Sequence, residues 1–266
     1  MVSSEFRLEA RKKLEGKWGK VACFTLAYML IFFVLGFIQG FFEGLFPTSM
    51  QFIWSLVVAI IELPLSFGFI ISLFKLYNGE EVKAFDFLSL GFSNFKKSWG
   101  ISLQTALKMI VPIILVIVSY VIIIFGMVGA TTASIVGTAS TAGSFGVLGI
   151  IGFILFVVSM IWATTKSYYY QLAYLVAADN PEMSSKDAVL KSEELMTNKR
   201  GKLFCLELSF IGWAILACFT LGIGYLWLLP YIQFATIAFY KFATGNSSDV
   251  KAEVVTENSN DPIQGN

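Results

Sequence analysis

The sequence predicts an all-α, polytopic membrane protein, and three observations carry that prediction. Of its 266 residues, 56% are hydrophobic and only 14% charged, against about 25% charged in a soluble domain. The charges gather in clusters that alternate with long uncharged runs. Those runs have the length a helix needs to cross a hydrocarbon layer about 30 Å thick at about 1.5 Å per residue. The expected architecture is six transmembrane helices with three interfacial amphipathic segments. Residues 1–20 form a cytoplasmic interfacial helix, 21–245 a six-helix membrane domain, and 246–266 a disordered cytoplasmic tail.

In residues 1–20, Phe6, Ala10, Leu14 and Trp18 recur every fourth position and share one helix face. Six basic residues cover much of the remainder, which suits a helix lying on an anionic membrane surface. The first span, 21–42, is uncharged and too long for a signal-peptide core of about 7–15 residues. After a short loop with Pro47, the second span, 50–74, carries Glu62 near mid-depth, two residues before Pro64. Asn78-Gly79 makes the exit turn. Residues 80–99 alternate aromatic and charged side chains and read as a second interfacial segment.

Met109–Thr165 holds no charge and is too long for one crossing. The small-residue run Ala130–Ser144 is the expected turn, giving spans at 109–129 and 145–165. Tyr168, Tyr169 and Tyr170 look like an interface anchor, although Gln171–Ala178 could continue the same helix. Asp179-Asn180-Pro181 stops it. Ser184 with Asp187 three residues on caps a third amphipathic helix through Met196, with Ala188, Val189, Leu195 and Met196 on its apolar face. The last hairpin, 203–221 and 225–242, turns at Gly222-Ile223-Gly224. The tail beyond Gly245 is polar and without periodicity.

Orientation follows from the basic residues. All 19 Lys and Arg fall in residues 1–20, between spans two and three, between spans four and five, or at and beyond the end of span six. The three opposite loops have none, which puts both termini in the cytoplasm. The odd spans also begin alike: Gly19, Gly100 and Gly201 are each followed by leucine seven residues on. Leu63-Pro64 and Leu229-Pro230 are each followed by Lys at eleven residues and Gly at fifteen. Three repeated hairpin units explain this, as does the general use of Trp, Lys and Gly at interfaces.

Several stretches resemble a known family. They are Leu14-Glu15-Gly16-Lys17-Trp18-Gly19, Asn78-Gly79-Glu80-Glu81-Val82, Ala178-Asp179-Asn180-Pro181, Leu208-Ser209-Phe210-Ile211-Gly212-Trp213, Thr220-Leu221-Gly222-Ile223-Gly224 and Leu226-Trp227-Leu228-Leu229-Pro230-Tyr231. They are similar to the signature of an uncharacterised bacterial family, domain of unknown function 975. The resemblance runs to about Gly245. It implies a multi-pass protein of the plasma membrane and brings no activity and no site residues.

The composition narrows the chemistry. With no histidine, His-based acid–base catalysis, Ser-His and Cys-His pairs and His-containing metal sites are excluded. Cys23, Cys205 and Cys218 sit in apolar runs without a Cys-x-x-Cys and read as small buried apolar residues. A net charge of +1 gives no case for nucleic acid. No cofactor or metal is expected, and no enzymatic activity.

Glu62, Pro64 and Glu207 form the candidate intramembrane polar site. A carboxylate at mid-bilayer is costly unless paired or protonated, and Pro64 frees a backbone carbonyl one turn earlier. A purely structural role for Glu62, hydrogen-bonded across helices, is the competing reading. Lys199, Arg200 and Lys202 are the candidate cytoplasmic interaction residues. The expected function is a membrane accessory or partner-binding protein; the alternative is a transporter-like site for a small molecule, ion or lipid around Glu62. The expected partners are the lipid bilayer and a membrane protein, either a different one or a second copy of this chain.

Overall fold

The computed structural model describes residues 2–245, apart from the side chains of Ser49, Ala139 and Ser140; the expected disordered tail, 246–266, lies outside the described residues. Every regular element among them is a helix: α1 (Ser3–Leu14), α2 (Trp18–Leu45), α3 (Thr48–Tyr77), α4 (Asp86–Ser93), α5 (Phe95–Ile135), α6 (Ala139–Ser167), α7 (Ala173–Asp179), α8 (Ser185–Met196), α9 (Arg200–Leu208), α10 (Ile211–Phe219) and α11 (Tyr225–Ala243). Five candidate spans are long and apolar enough to cross a membrane: α2, α3, α5, α6 and Arg200–Phe219, which comprises α9 and α10.

The sixth expected crossing exists as a helix, α11, but is not among those five. Tyr225, Tyr231, Gln233, Tyr240 and Lys241 dilute its apolarity. It is also largely enclosed by its unit. Phe234, Ala235, Ala238 and Phe239 have no exposed surface, because α1, α2, α3, α9 and α10 all pack on it.

Two expected boundaries change. Ala130–Ser144 is mostly helix, and only residues 136–138 separate α5 from α6. Alanine favours helix, and the Thr131, Thr132 and Ser134 hydroxyls donate back to carbonyls three or four residues earlier instead of opening the chain. The break falls at Gly137, whose φ of +82° suits glycine. In the fifth span, Ser209 and Phe210 interrupt the helix, so 203–221 is two short helices rather than one rod. The cysteines are a further correction. All three are exposed, on α2, α9 and α10, because the predicted burying surface is bilayer and not protein.

The chain divides into two compact units: residues up to Ser102 with those from Leu172 onward, and Leu103–Gln171. In the first, each short amphipathic helix packs on another helix: α1 on α11, α4 on α3, α8 on α7. The apolar stripes of α1 and α4 are therefore covered by protein. Phe6, Ala10 and Leu14 are fully buried, with the Phe6 ring 5.5 Å from both Phe239 and Phe242. Phe87 of α4 is fully buried against Phe24, at 5.5 Å, and Tyr28, at 5.7 Å.

The three short helices share a pattern. Glu5, Asp86 and Asp187 each stand fourteen residues ahead of Gly19, Gly100 and Gly201. Each carboxylate bonds at its own helix start: Glu5 accepts from Val2 N at 2.8 Å, Asp86 from Lys83 N at 2.8 Å, and Asp187 from Ser184 Oγ at 2.6 Å. Five residues further on, Ala10, Gly91 and Ser192 are small and buried, which lets the helices approach.

Lysines close two helix ends. Lys97 Nζ donates to the carbonyls of Ala177 (3.1 Å), Asn180 (2.9 Å) and Pro181 (2.7 Å) at the end of α7. A cation suits these orphan acceptors and the negative end of the helix dipole. Lys97→Met is expected to destabilise the α7 end by about 2 kcal/mol. Hydrogen exchange should show the α7 amides opening faster while those of α2 stay unchanged.

The second unit is a hairpin of the later part of α5 with α6. The two backbones meet at Gly126 and Gly149, where a Cβ on Gly126 would come within 2.5 Å of Gly149 N. Small residues allow this close approach, which drives helix packing in a bilayer.

Candidate functional site

Glu62 lies midway along α3 and is half-buried. Among the described residues it makes no hydrogen bond or ion pair. The Tyr28 hydroxyl of α2 is within its electrostatic reach and lies 3.4 Å from Ser66 Oγ. Pro64 leaves the Ile60 carbonyl without its helical donor, as expected. The structure fills that vacancy with protein: Trp99 Nε1 donates to Ile60 O at 3.3 Å. The freed carbonyl thus ties the start of α5 to α3.

Glu207 is on α9, a different element, and is engaged by a neighbour, as is Arg200. The basic trio divides into structural jobs. Lys199 Nζ donates to Ala243 O at 2.9 Å and closes α11. Lys202 Nζ lies 5.0 Å from the Phe242 ring centre. These residues cluster around the end of α11.

A cavity of about 370 Å³, missed from the sequence, lies within the first unit among α1, the start of α2, α10 and α11. Its volume is in the range of small-molecule sites, about 300–1,000 Å³. Arg11, Trp18 and Tyr231 form one end, Trp213, Leu216 and Trp227 the walls. Local folding explains each position. The α1 stripe seats on α11, and that places Arg11 over the Tyr231 ring at 5.8 Å. The Tyr231 hydroxyl donates to Arg7 O at 3.4 Å, and its ring meets Phe210 edge-on at 5.0 Å. At the other end Leu221 and Gly222 take positive φ, 53° and 87°, and turn the chain. Thr220 Oγ accepts from Gly224 N at 2.9 Å and donates to Ala217 O at 2.7 Å, which locks that turn.

The walls are almost entirely apolar, and among the described residues Arg11 is the only charged side chain lining the cavity. Arg11 has no carboxylate and no hydrogen bond among the described residues, and one turn earlier the buried Arg7 Nε also lacks a partner. One signal in the sequence did point here. Four of the stretches that carry the family resemblance contribute to this cavity: Trp18, Trp213, Thr220 with Gly224, and Trp227 with Tyr231.

Fold and site together define an all-helical protein with, among the described residues, five candidate spans long and apolar enough to cross a membrane, and that composition suggests a membrane protein. The chain belongs to the family described as Protein of unknown function (DUF975), whose model matches residues 1–247. No curated protein and no solved structure matches it.

Proposed function

We propose that this chain is a non-enzymatic accessory protein of the plasma membrane that binds another membrane protein, with six crossings and both termini cytoplasmic. The α5–α6 hairpin carries this reading. Met109–Thr165 is uncharged, and only 11% of the most apolar stretch of α6 is buried within the chain. Gly143 and Gly146 of α6 have open space beside them, where a partner helix fits closely. Native mass spectrometry from nanodiscs is expected to show a stoichiometric second protein. Gly146→Leu, whose Cβ meets nothing within 4 Å among the described residues, should remove that mass and leave this protein intact. A lone monomer from gently solubilised membranes sinks the reading, and a pure homo-oligomer replaces the partner by a second copy.

The distribution of Lys and Arg supports the orientation. A cysteine placed at Gly137 should react with an impermeant reagent from outside; labelling only from the cytoplasm contradicts six crossings. The shared fourteen-residue spacing and the three short-helix contacts support a threefold repeat of amphipathic helix, crossing, turn, crossing.

A transporter-like site around Glu62 is the second reading, favoured by the unpaired carboxylate at mid-helix. Glu62→Gln is expected to abolish the cellular phenotype of the protein at unchanged abundance. A fall in abundance instead assigns Glu62 to structure.

A further inference from the structure

We propose that the cavity between α1, α10 and α11 is a binding site for one anionic phospholipid, its phosphate on Arg11 and one acyl chain along Trp213, Leu216 and Trp227. This goes beyond the partner-binding reading and does not depend on it.

Charge complementarity selects the occupant. A guanidinium is a planar donor matched to phosphate oxygens, and among the described residues lining the cavity none offers Arg11 a carboxylate. Tyr231 fixes its position from below at 5.8 Å. Trp18 adds an amphipathic ring at the same end, the usual company of a lipid headgroup. The rest of the cavity suits no second charge, because its walls are indole, leucine and backbone. Trp213 to Thr220, and Gly224 to Tyr231, each cover about 10 Å along their helices at about 1.5 Å per residue, so the slot follows a chain lengthwise. Trp213, Leu216 and Trp227 are all about half exposed. With α10 and α11 spanning the membrane as proposed, their open side would face the bilayer, which lets a lipid enter sideways. A soluble anion would satisfy Arg11 and leave this apolar slot empty; a neutral amphiphile would fill the slot and leave Arg11 unmatched.

The test uses the full chain in detergent with added phosphatidylglycerol or phosphatidylcholine of identical chains, read by native mass spectrometry. One phosphatidylglycerol should bind, preferred over phosphatidylcholine by about fivefold, the selectivity one basic group near an anionic surface supplies. Arg11→Gln should erase the preference without changing the elution volume, since Arg11 is exposed and packs no core. Leu216→Trp, which fills the slot, should weaken both lipids while Arg11 remains. Lys96→Gln, an exposed charge outside the cavity, should change nothing. Equal binding of the two lipids overturns the proposal, as does a preference that survives Arg11→Gln. Competition by inorganic phosphate at equal concentration makes it a soluble-anion site and overturns the lipid. A dimer mass that Leu216→Trp converts to monomer gives the slot to a second copy instead.

Discussion

Gly68→Ala is expected to cost at least about 3 kcal/mol, at the top of the range for overpacking a closed contact, and to leave little folded protein. The added methyl would sit closer than 3.0 Å to Phe87 O, Gly91 N and Gly91 Cα. All three are backbone atoms of α4, so no rotamer change relieves the clash. The reciprocal position is as tight: a Cβ on Gly91 would strike the Pro64 carbonyl. α3 and α4 therefore meet backbone to backbone, between Pro64 and Gly68. Unfolding in mixed detergent micelles should register the loss for Gly68→Ala and Gly91→Ala. Gly201→Ala, with nothing within 4 Å, is the control that should stay near wild type.

Asp179→Ala is expected to cost about 3 kcal/mol, the scale of breaking a largely buried ion pair from one side. Asp179 Oδ2 accepts from the Tyr240 hydroxyl at 2.8 Å, and Oδ1 lies 3.5 Å from Lys241 Nζ. The two charged side chains are only 26% and 18% exposed. Lys241 also stands over the Phe74 ring at 4.7 Å, so α3, α7 and α11 are joined at one point. Removing the carboxylate strands a cation and a hydroxyl together. Tyr240→Phe should cost less, about 1 kcal/mol for one hydrogen bond. Thermal unfolding of the purified variants checks the order: if Tyr240→Phe loses as much as Asp179→Ala, the ion pair contributes nothing.

Much of the local structure was legible in the sequence. Ser184 caps α8 through Asp187 N at 3.2 Å, Gly79 takes the left-handed turn at φ +90°, and the Phe6, Ala10, Leu14 stripe is one buried face. Periodicity shows that a face is buried but not what buries it. A surface helix and a helix packed on α11 present the same stripe, and the choice of α11 rests on Phe239 and Phe242, more than two hundred residues away. The site was less legible for the same reason. Glu62 and Pro64 stood out because a charge and a proline are rare within an apolar run. Arg11 did not, being one of six basic residues in the first twenty, and only its place over Tyr231 singles it out.

By itself the sequence determined the all-helical class, the helix count to within a break or two, and the clustering of its charges between apolar runs, since these depend on composition and on spacing along one strand of chain. The tertiary structure decided which apolar faces are covered by protein and which are left exposed. It enclosed α11 among five other helices, used Lys97 and Lys199 as helix caps, satisfied Ile60 with Trp99, and gathered a cavity from four separate stretches. Burial by protein and burial by bilayer favour the same residues, because both remove apolar surface from water. Only the packing of distant segments distinguishes them.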